Sequence, residues 1–172
     1  MKNDFTVNRR YTRTLTVSGL LGALSVVLGL TPLGFIPVPT AAGHATIMHV
    51  PAILGAVLEG PTTGALTGLI FGLYSLLRAS SPLFADPLIA LVPRILIGVV
   101  TYQVYRLTHS DGLAAVCGSM TNTLGVMGLA VLRGYVPAPA AWVVVLTHGI
   151  PEMIVAVVIT VIICKAMRKS RR

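Results

Sequence analysis

Long apolar stretches, broken only by short turns, constrain this chain more than any other feature. Between Thr14 and Cys164, formal charge falls on four arginines (Arg78, Arg94, Arg106, Arg133) and four acids (Glu59, Asp86, Asp111, Glu152). Of the 172 residues, 55% are hydrophobic and 10% are charged, against roughly 25% charged in a soluble domain. So little polar surface cannot cover a water-soluble core. A soluble globular enzyme, a disordered chain and a disulfide scaffold are therefore excluded. What fits is a helical membrane protein. At about 20 residues per crossing, six spans use about 120 residues and leave about 52 for two ends and five loops.

The net charge of +8 is concentrated where it sets orientation. Lys2, Arg9, Arg10 and Arg13 precede the first apolar run, and Lys165, Arg168, Lys169, Arg171 and Arg172 follow the last. Cytoplasmic flanks are enriched in this way, so both ends are expected in the cytoplasm, which requires an even number of spans. The basic residues flank spans and form no separate basic domain, so nucleic acid is not an expected partner. Anionic lipid headgroups are. Thr40-Ala41-Ala42 follows a proline-rich stretch and makes a poor cleavage site, so no removable leader is expected. Cys117 and Cys164 lie far apart in apolar runs and suggest neither a disulfide nor a metal knuckle.

The expected spans run from Leu15 to Leu33, Thr46 to Leu58 (short and interrupted by Pro51), Thr62 to Leu77, Leu88 to Tyr105, Leu113 to Leu132 and Trp142 to Cys164. The fold class is thus an all-α membrane protein, one compact bundle of six transmembrane helices spanning residues 1–172, with cytoplasmic tails at about 1–13 and 165–172. Inner segments then hold ten Lys or Arg and outer segments two, Arg78 and Arg133, while Arg94 lies within a span. Small residues recur every fourth position in span one (Ser18/Gly22, Gly19/Ala23, Ser25/Gly29) and in span three (Gly64, Gly68, Gly72), which lets helices approach closely. No internal repeat is visible, which argues against a secondary carrier built from inverted repeats.

Ionisable groups within spans cost at least about 2.5–3.5 kcal/mol at the helix centre and therefore mark a cavity or a partner. Arg94 comes about 10 Å into span four and Glu152 about 15 Å into span six, both counted from outside, and Asn122 lies near the middle of span five. His148 is one turn from Glu152 on the same face. His49 and Tyr74 lie in the outer parts of spans two and three. These residues define a polar pocket open to the outside. Arg94 would grip a carboxylate or phosphate. Asn122 and Thr121 would exchange neutral hydrogen bonds with a ligand, and Glu152 and His148 would take hydroxyl or amide groups. The alternative is an internal Arg94–Glu152 ion pair that only locks the bundle. Tyr74 and Trp142 also suit interface anchors. His148-x-x-x-Glu152 lacks the further ligands of a metal site. Ser75 has no evident base for a nucleophilic enzyme, and no GxxxxGK[ST] phosphate loop is present.

Four segments carry a family resemblance: Met48-His49-Val50-Pro51, Gly60-Pro61-x-x-Gly64-x-x-x-Gly68-x-x-Phe71-Gly72, Pro93-Arg94-Ile95-Leu96-Ile97-Gly98 and Thr121-Asn122-Thr123. From about Thr14 to Cys164 the chain resembles the substrate-binding S components of energy-coupling factor transporters, the bacterial vitamin importers. The resemblance implies a non-enzymatic plasma-membrane subunit that binds a vitamin or precursor from outside and uses no cofactor of its own. It further implies docking on a transmembrane coupling protein with two cytoplasmic ATPases, which consume the ATP, and toppling in the membrane to release the solute. The family docks through Ala-x-x-x-Ala in the first helix. Gly19-x-x-x-Ala23 is the nearest pattern here, with Ser18 and Gly22 beside it. One membrane Arg and one membrane Glu suit a solute with a carboxylate, hydroxyls and an amide, and pantothenate has these. Hydroxymethylpyrimidine, folate, cobalamin, riboflavin and queuosine precursors stay open as substrates. Metal uptake is disfavoured, since Lys2 stands where the metal-importing members carry histidine.

Overall fold

The computed structural model describes residues 2–37, 44–79 and 81–170. Pro39 and Ala41-Ala42-Gly43 of the proline-rich loop, Thr40 beside them, Ser80, and the terminal Arg171 and Arg172 lie outside the described residues. Among the described residues six helices follow one another. They are α1 (Lys2–Leu30), α2 (Val50–Glu59), α3 (Pro61–Arg78), α4 (Pro87–Thr108), α5 (Asp111–Leu132) and α6 (Ala138–Ser170). The all-α membrane fold is therefore observed. Four of the helices are long and apolar enough to cross a membrane: α1 over Arg10–Leu30, α4, α5 and α6. Large apolar side chains such as Leu15, Leu20, Leu77, Leu132 and Ile162 face outward. That would be costly in water and is favourable in lipid.

The second helix differs most from its expected form. Pro51 does not interrupt it. Pro51 stands in its first turn, where the missing N–H has no intrahelical partner to lose. With 10 residues α2 rises about 15 Å, about half of a bilayer's hydrocarbon core. It is also the heart of the bundle: Val50 through Val57 are all buried, and Ile53, with Ile97 of α4 and Ala114 and Ala115 of α5, belongs to one apolar cluster. Gly60 then turns the chain with φ of 110°, and Pro61 starts α3 at once. Only glycine adopts that backbone readily.

Helices α3 and α4 pack most extensively, and the sequence shows why. A Cβ on Gly64 would strike Ala56 and the Gly98 backbone, and one on Gly68 would strike the Arg94 carbonyl. The glycine stripe of α3 thus presses directly on the α4 main chain.

The segment read as a plain loop after α1 contains structure. A 3₁₀ turn (Pro32–Gly34) leads into strand β1 (Phe35–Pro37), which pairs antiparallel with β2 (His44–Thr46), Phe35 opposite Thr46. A second 3₁₀ turn, Pro82–Ala85, precedes α4. Ion pairs mark the two ends of the bundle. At the hairpin end, Arg133 after α5 bonds Asp86, which caps the N-terminus of α4 through Leu88 N. At the opposite end, Arg13 of α1 pairs with Glu59 at 2.7 Å, and Arg168 of α6 grips Asp111 of α5 at 2.6 and 2.9 Å.

Candidate functional site

A cavity of about 620 Å³ lies at the hairpin end, lined by residues from Gly29 in α1 to Glu152 in α6. The hairpin contributes Phe35 and Thr46. Helix α3 adds Phe71, Tyr74, Ser75 and Arg78, the 3₁₀ turn adds Leu83 and Phe84, and α5 adds Asn122, Thr123, Val126 and Met127. The volume suits a small organic solute, and an apolar wall with few polar groups is the usual form of such a site.

Arg94 reaches this cavity through a local sequence device. Pro93 inside α4 has no N–H, so the Ile89 carbonyl loses its helical partner. The guanidinium of the next residue replaces it: Arg94 Nη1 donates to Ile89 O at 2.7 Å. The proline that breaks the ladder thus folds the neighbouring arginine back along the helix. Gly125 of α5 gives the Pro93 ring its room. Arg94 is 4% exposed, and its guanidinium carbon sits 5.4 Å from the Phe71 ring centre and 5.0 Å from that of Phe84, within cation–π range. Its Nε is buried without a partner.

Glu152 does not pair with Arg94. Its carboxylate is 2% exposed and takes Thr46 N at 3.0 Å, the Thr46 hydroxyl, Thr123 Oγ1 at 3.4 Å and His148 Nε2 at 3.0 Å. The acid therefore ties the hairpin to α5 and α6, and the internal lock weighed as an alternative for Arg94 is not the one formed. A π-helical segment, Val145–Gly149, carries Thr147 and His148 onto the cavity wall. Such bulges often accompany functional sites.

The remaining candidates divide. Asn122 lines the cavity with its Oδ1 buried and unpartnered, and Tyr74 lines it with its hydroxyl accepting from Arg78. Thr121 is half-buried, bonds back to Cys117 O at 2.7 Å and lies off the wall; Thr123, two residues on, is part of it. His49 is fully buried just before α2, with neither ring nitrogen bonded, and is not on the wall. Trp142 is largely exposed. Arg78, Met48, Phe71, Phe84 and Thr46 were missed as site residues. The spacing of Tyr74 and Arg78, four apart on one helix, was the signal available for Arg78.

The small residues of α1 also separate by face. Ser18 and Gly22 are buried against α3, at the Thr63 carbonyl and Ile70. Gly19 and Ala23 are exposed, with open space over Gly19.

At the hairpin-end rim, the hydrogen bond from Arg133 holds the Asp86 carboxyl below its ordinary value, and the same bond raises Arg133. Among the described residues no three His, Cys, Asp or Glu side chains converge as a metal site would need, and both cysteines are free.

Fold and cavity together define a multi-pass helical membrane protein built around one polar-spotted, solute-sized chamber. Residues 13–164 match the family described as ECF transporter, substrate-specific component, and the chain belongs to that family. It is 32% identical over 156 residues to a Pantothenic acid transporter PanT of Lactococcus lactis subsp. cremoris, covering 73% of this chain and 79% of the relative. It is 31% identical over 134 residues to a Pantothenate transporter PanT of Leuconostoc mesenteroides, covering 66% of this chain and 62% of the relative. This chain is a multi-pass protein of the bacterial cell membrane and the solute-recognising part of a vitamin importer.

Proposed function

We propose that the chain binds pantothenate in the cavity at the hairpin end and delivers it for uptake. One observation carries the reading: a buried arginine, Arg94, faces this chamber with no carboxylate within 4 Å among the described residues. A ligand that brings the missing carboxylate, together with hydroxyls and an amide for Asn122, Thr123 and His148, satisfies the wall. Pantothenate has those groups, and the printed names of both relatives support the choice. The chain acts without chemistry or cofactor of its own. Both termini face the cytoplasm and the hairpin end faces outside, in keeping with the basic tails. Partner subunits, a coupling membrane protein and two ATPases, supply the energy.

Titration of the purified chain with a panel of water-soluble vitamins tests this directly. Pantothenate should bind at one site below micromolar, and the others at least about a hundredfold more weakly. Preference for another vitamin, or binding of none, would refute it. The exposed Gly19–Ala23 face of α1 suits close approach by the coupling protein. Gly19→Leu or Ala23→Leu should therefore spare pantothenate binding and lower uptake by the assembled complex about tenfold or more. Normal uptake in both variants would remove that face from the docking surface.

A further inference from the structure

We infer that Arg78 is a second anion-recognising side chain of this cavity, donating to the same ligand carboxylate as Arg94. The inference rests on the pantothenate reading and deepens it. Arg78 ends α3 and lines the cavity. Its Nη1 donates to Gly29 O at 2.5 Å and to Tyr74 Oη at 2.6 Å, and its guanidinium carbon lies 6.0 Å from the Tyr74 ring centre. Both bonds use one nitrogen. Nη2 and Nε have no partner among the described residues and can supply a forked pair of donors.

The two arginines lean toward one another from opposite directions along the cavity. Helical side chains lean toward the N-terminus of their helix. Arg78 therefore leans back toward Tyr74 on α3, and Arg94 leans back toward Ile89 on α4. A Cβ on Gly72 would meet Ala90 O and Leu91, so Tyr74, two residues further along antiparallel α3, lies level with about Leu88 and Ile89. By this register the two guanidinium groups are drawn toward each other along the cavity that both line.

Charge accounting points the same way. Four acidic side chains are described, and each already has a basic partner: Glu59 with Arg13, Asp86 with Arg133, Asp111 with Arg168, and Glu152 with His148. The two cavity arginines have no acidic partner within 4 Å among the described residues. Glu152 acts on Arg94 only at longer range and Arg78 is solvent-exposed on the cavity wall, so both guanidinium groups keep positive charge for an anion entering from outside.

The test compares pantothenate with panthenol, the neutral alcohol in which CH2OH replaces the carboxylate. Each is titrated into the purified full chain, wild type and variants. Arg78→Gln should weaken pantothenate about thirtyfold, the scale of a hydrogen bond to a charged group, while panthenol changes less than about threefold. Arg78→Lys keeps the charge and loses the fork, so its preference for pantothenate should fall between wild type and Arg78→Gln. Arg106→Gln, at the far end of α4, should leave the preference intact. Equal weakening of both ligands by Arg78→Gln would mean that Arg78 only ties α1 to α3 through Gly29 and Tyr74, and would overturn the inference. So would an unchanged preference in Arg78→Lys, which decides the matter if Arg78→Gln does not fold. A wild-type chain that binds neither ligand overturns the pantothenate reading and this inference with it. One that binds both equally well overturns this inference and leaves pantothenate binding itself standing.

Discussion

The rim of the bundle and its cavity treat positive charge in opposite ways. At the rim, Arg13, Arg133 and Arg168 each sit within 3 Å of an acid that belongs to another segment. In the cavity, Arg78 and Arg94 hold only backbone carbonyls, a tyrosine hydroxyl and aromatic rings. Rim pairs join segments that the chain must bring together anyway: α1 to the α2–α3 turn, the α5 end to the α4 cap, α6 to α5. The cavity cations are oriented, but neither touches an acid among the described residues. Neutral partners can hold a guanidinium in place while leaving its charge to attract a ligand, and an acid in the same position would compete with that ligand. Glu152, the one acid among the described residues that line the cavity, is spent on Thr46, Thr123 and His148.

The largest way to break the contrast is Arg94→Ala. It should weaken pantothenate binding by more than about a hundredfold, since a buried charge partner of a ligand is worth several kcal/mol. Titration calorimetry on the folded variant checks this, and retained affinity would make Arg94 scaffolding. Glu152→Gln comes next. It keeps the shape and loses the charge that four donors share, so affinity should fall about tenfold, and the Thr46 amide should exchange hydrogen faster than in wild type. Unaltered exchange at Thr46 would detach the hairpin from this acid. At the rim, Arg168→Gln should leave pantothenate affinity unchanged and cost at most about 1 kcal/mol of stability, about 2–4 °C in melting temperature, because the pair is partly exposed and screened. A drop in affinity would erase the distinction between rim and cavity.

The smallest effect is one of pH. Asp86 is held below the ordinary carboxyl value by Arg133. Its contribution is therefore fully present above about pH 4 and is lost as pH falls through the lowered value. Asp86→Asn keeps the α4 cap but not the charge. The melting difference between wild type and this variant should be constant from pH 7 to 5 and shrink below about pH 4. A difference that grows on acidification would contradict the sign.

Much of this was legible in the residues. Apolar length and turn chemistry anticipated the six helices in order, though not where α1 and α2 begin, because burial in lipid leaves a backbone few alternatives to helix. The glycine stripe of α3 announced its close packing, and Arg94, Asn122, His148 and Glu152 stood out as polar groups in apolar runs. What stayed hidden depended on tertiary partners. Arg78 read as a loop charge, since only the fold shows its side chain turned back to Tyr74 and Gly29. Pro51 read as an interruption because its meaning depends on where the helix begins, at Val50, three residues past Ile47, whose N–H bonds the Gly34 carbonyl. Glu152 read as a ligand group or, alternatively, as a partner for Arg94, as the two are near in depth; the hairpin that brings Thr46 to it is made by pairing of residues from either side of a loop. The choice between Thr121 and Thr123 turned on the rotation of α5, which a run of three polar residues does not fix.

The most direct check on the idea that the cavity cations await a carboxylate uses the wild-type chain alone. Its affinities for pantothenate and for panthenol are measured side by side in detergent at one low ionic strength. Pantothenate should bind at least about a hundredfold more tightly, the difference that uncompensated guanidinium groups make to a ligand carrying the opposite charge. Equal affinities would show that Arg78 and Arg94 do not read the ligand's charge and would return both to the scaffold.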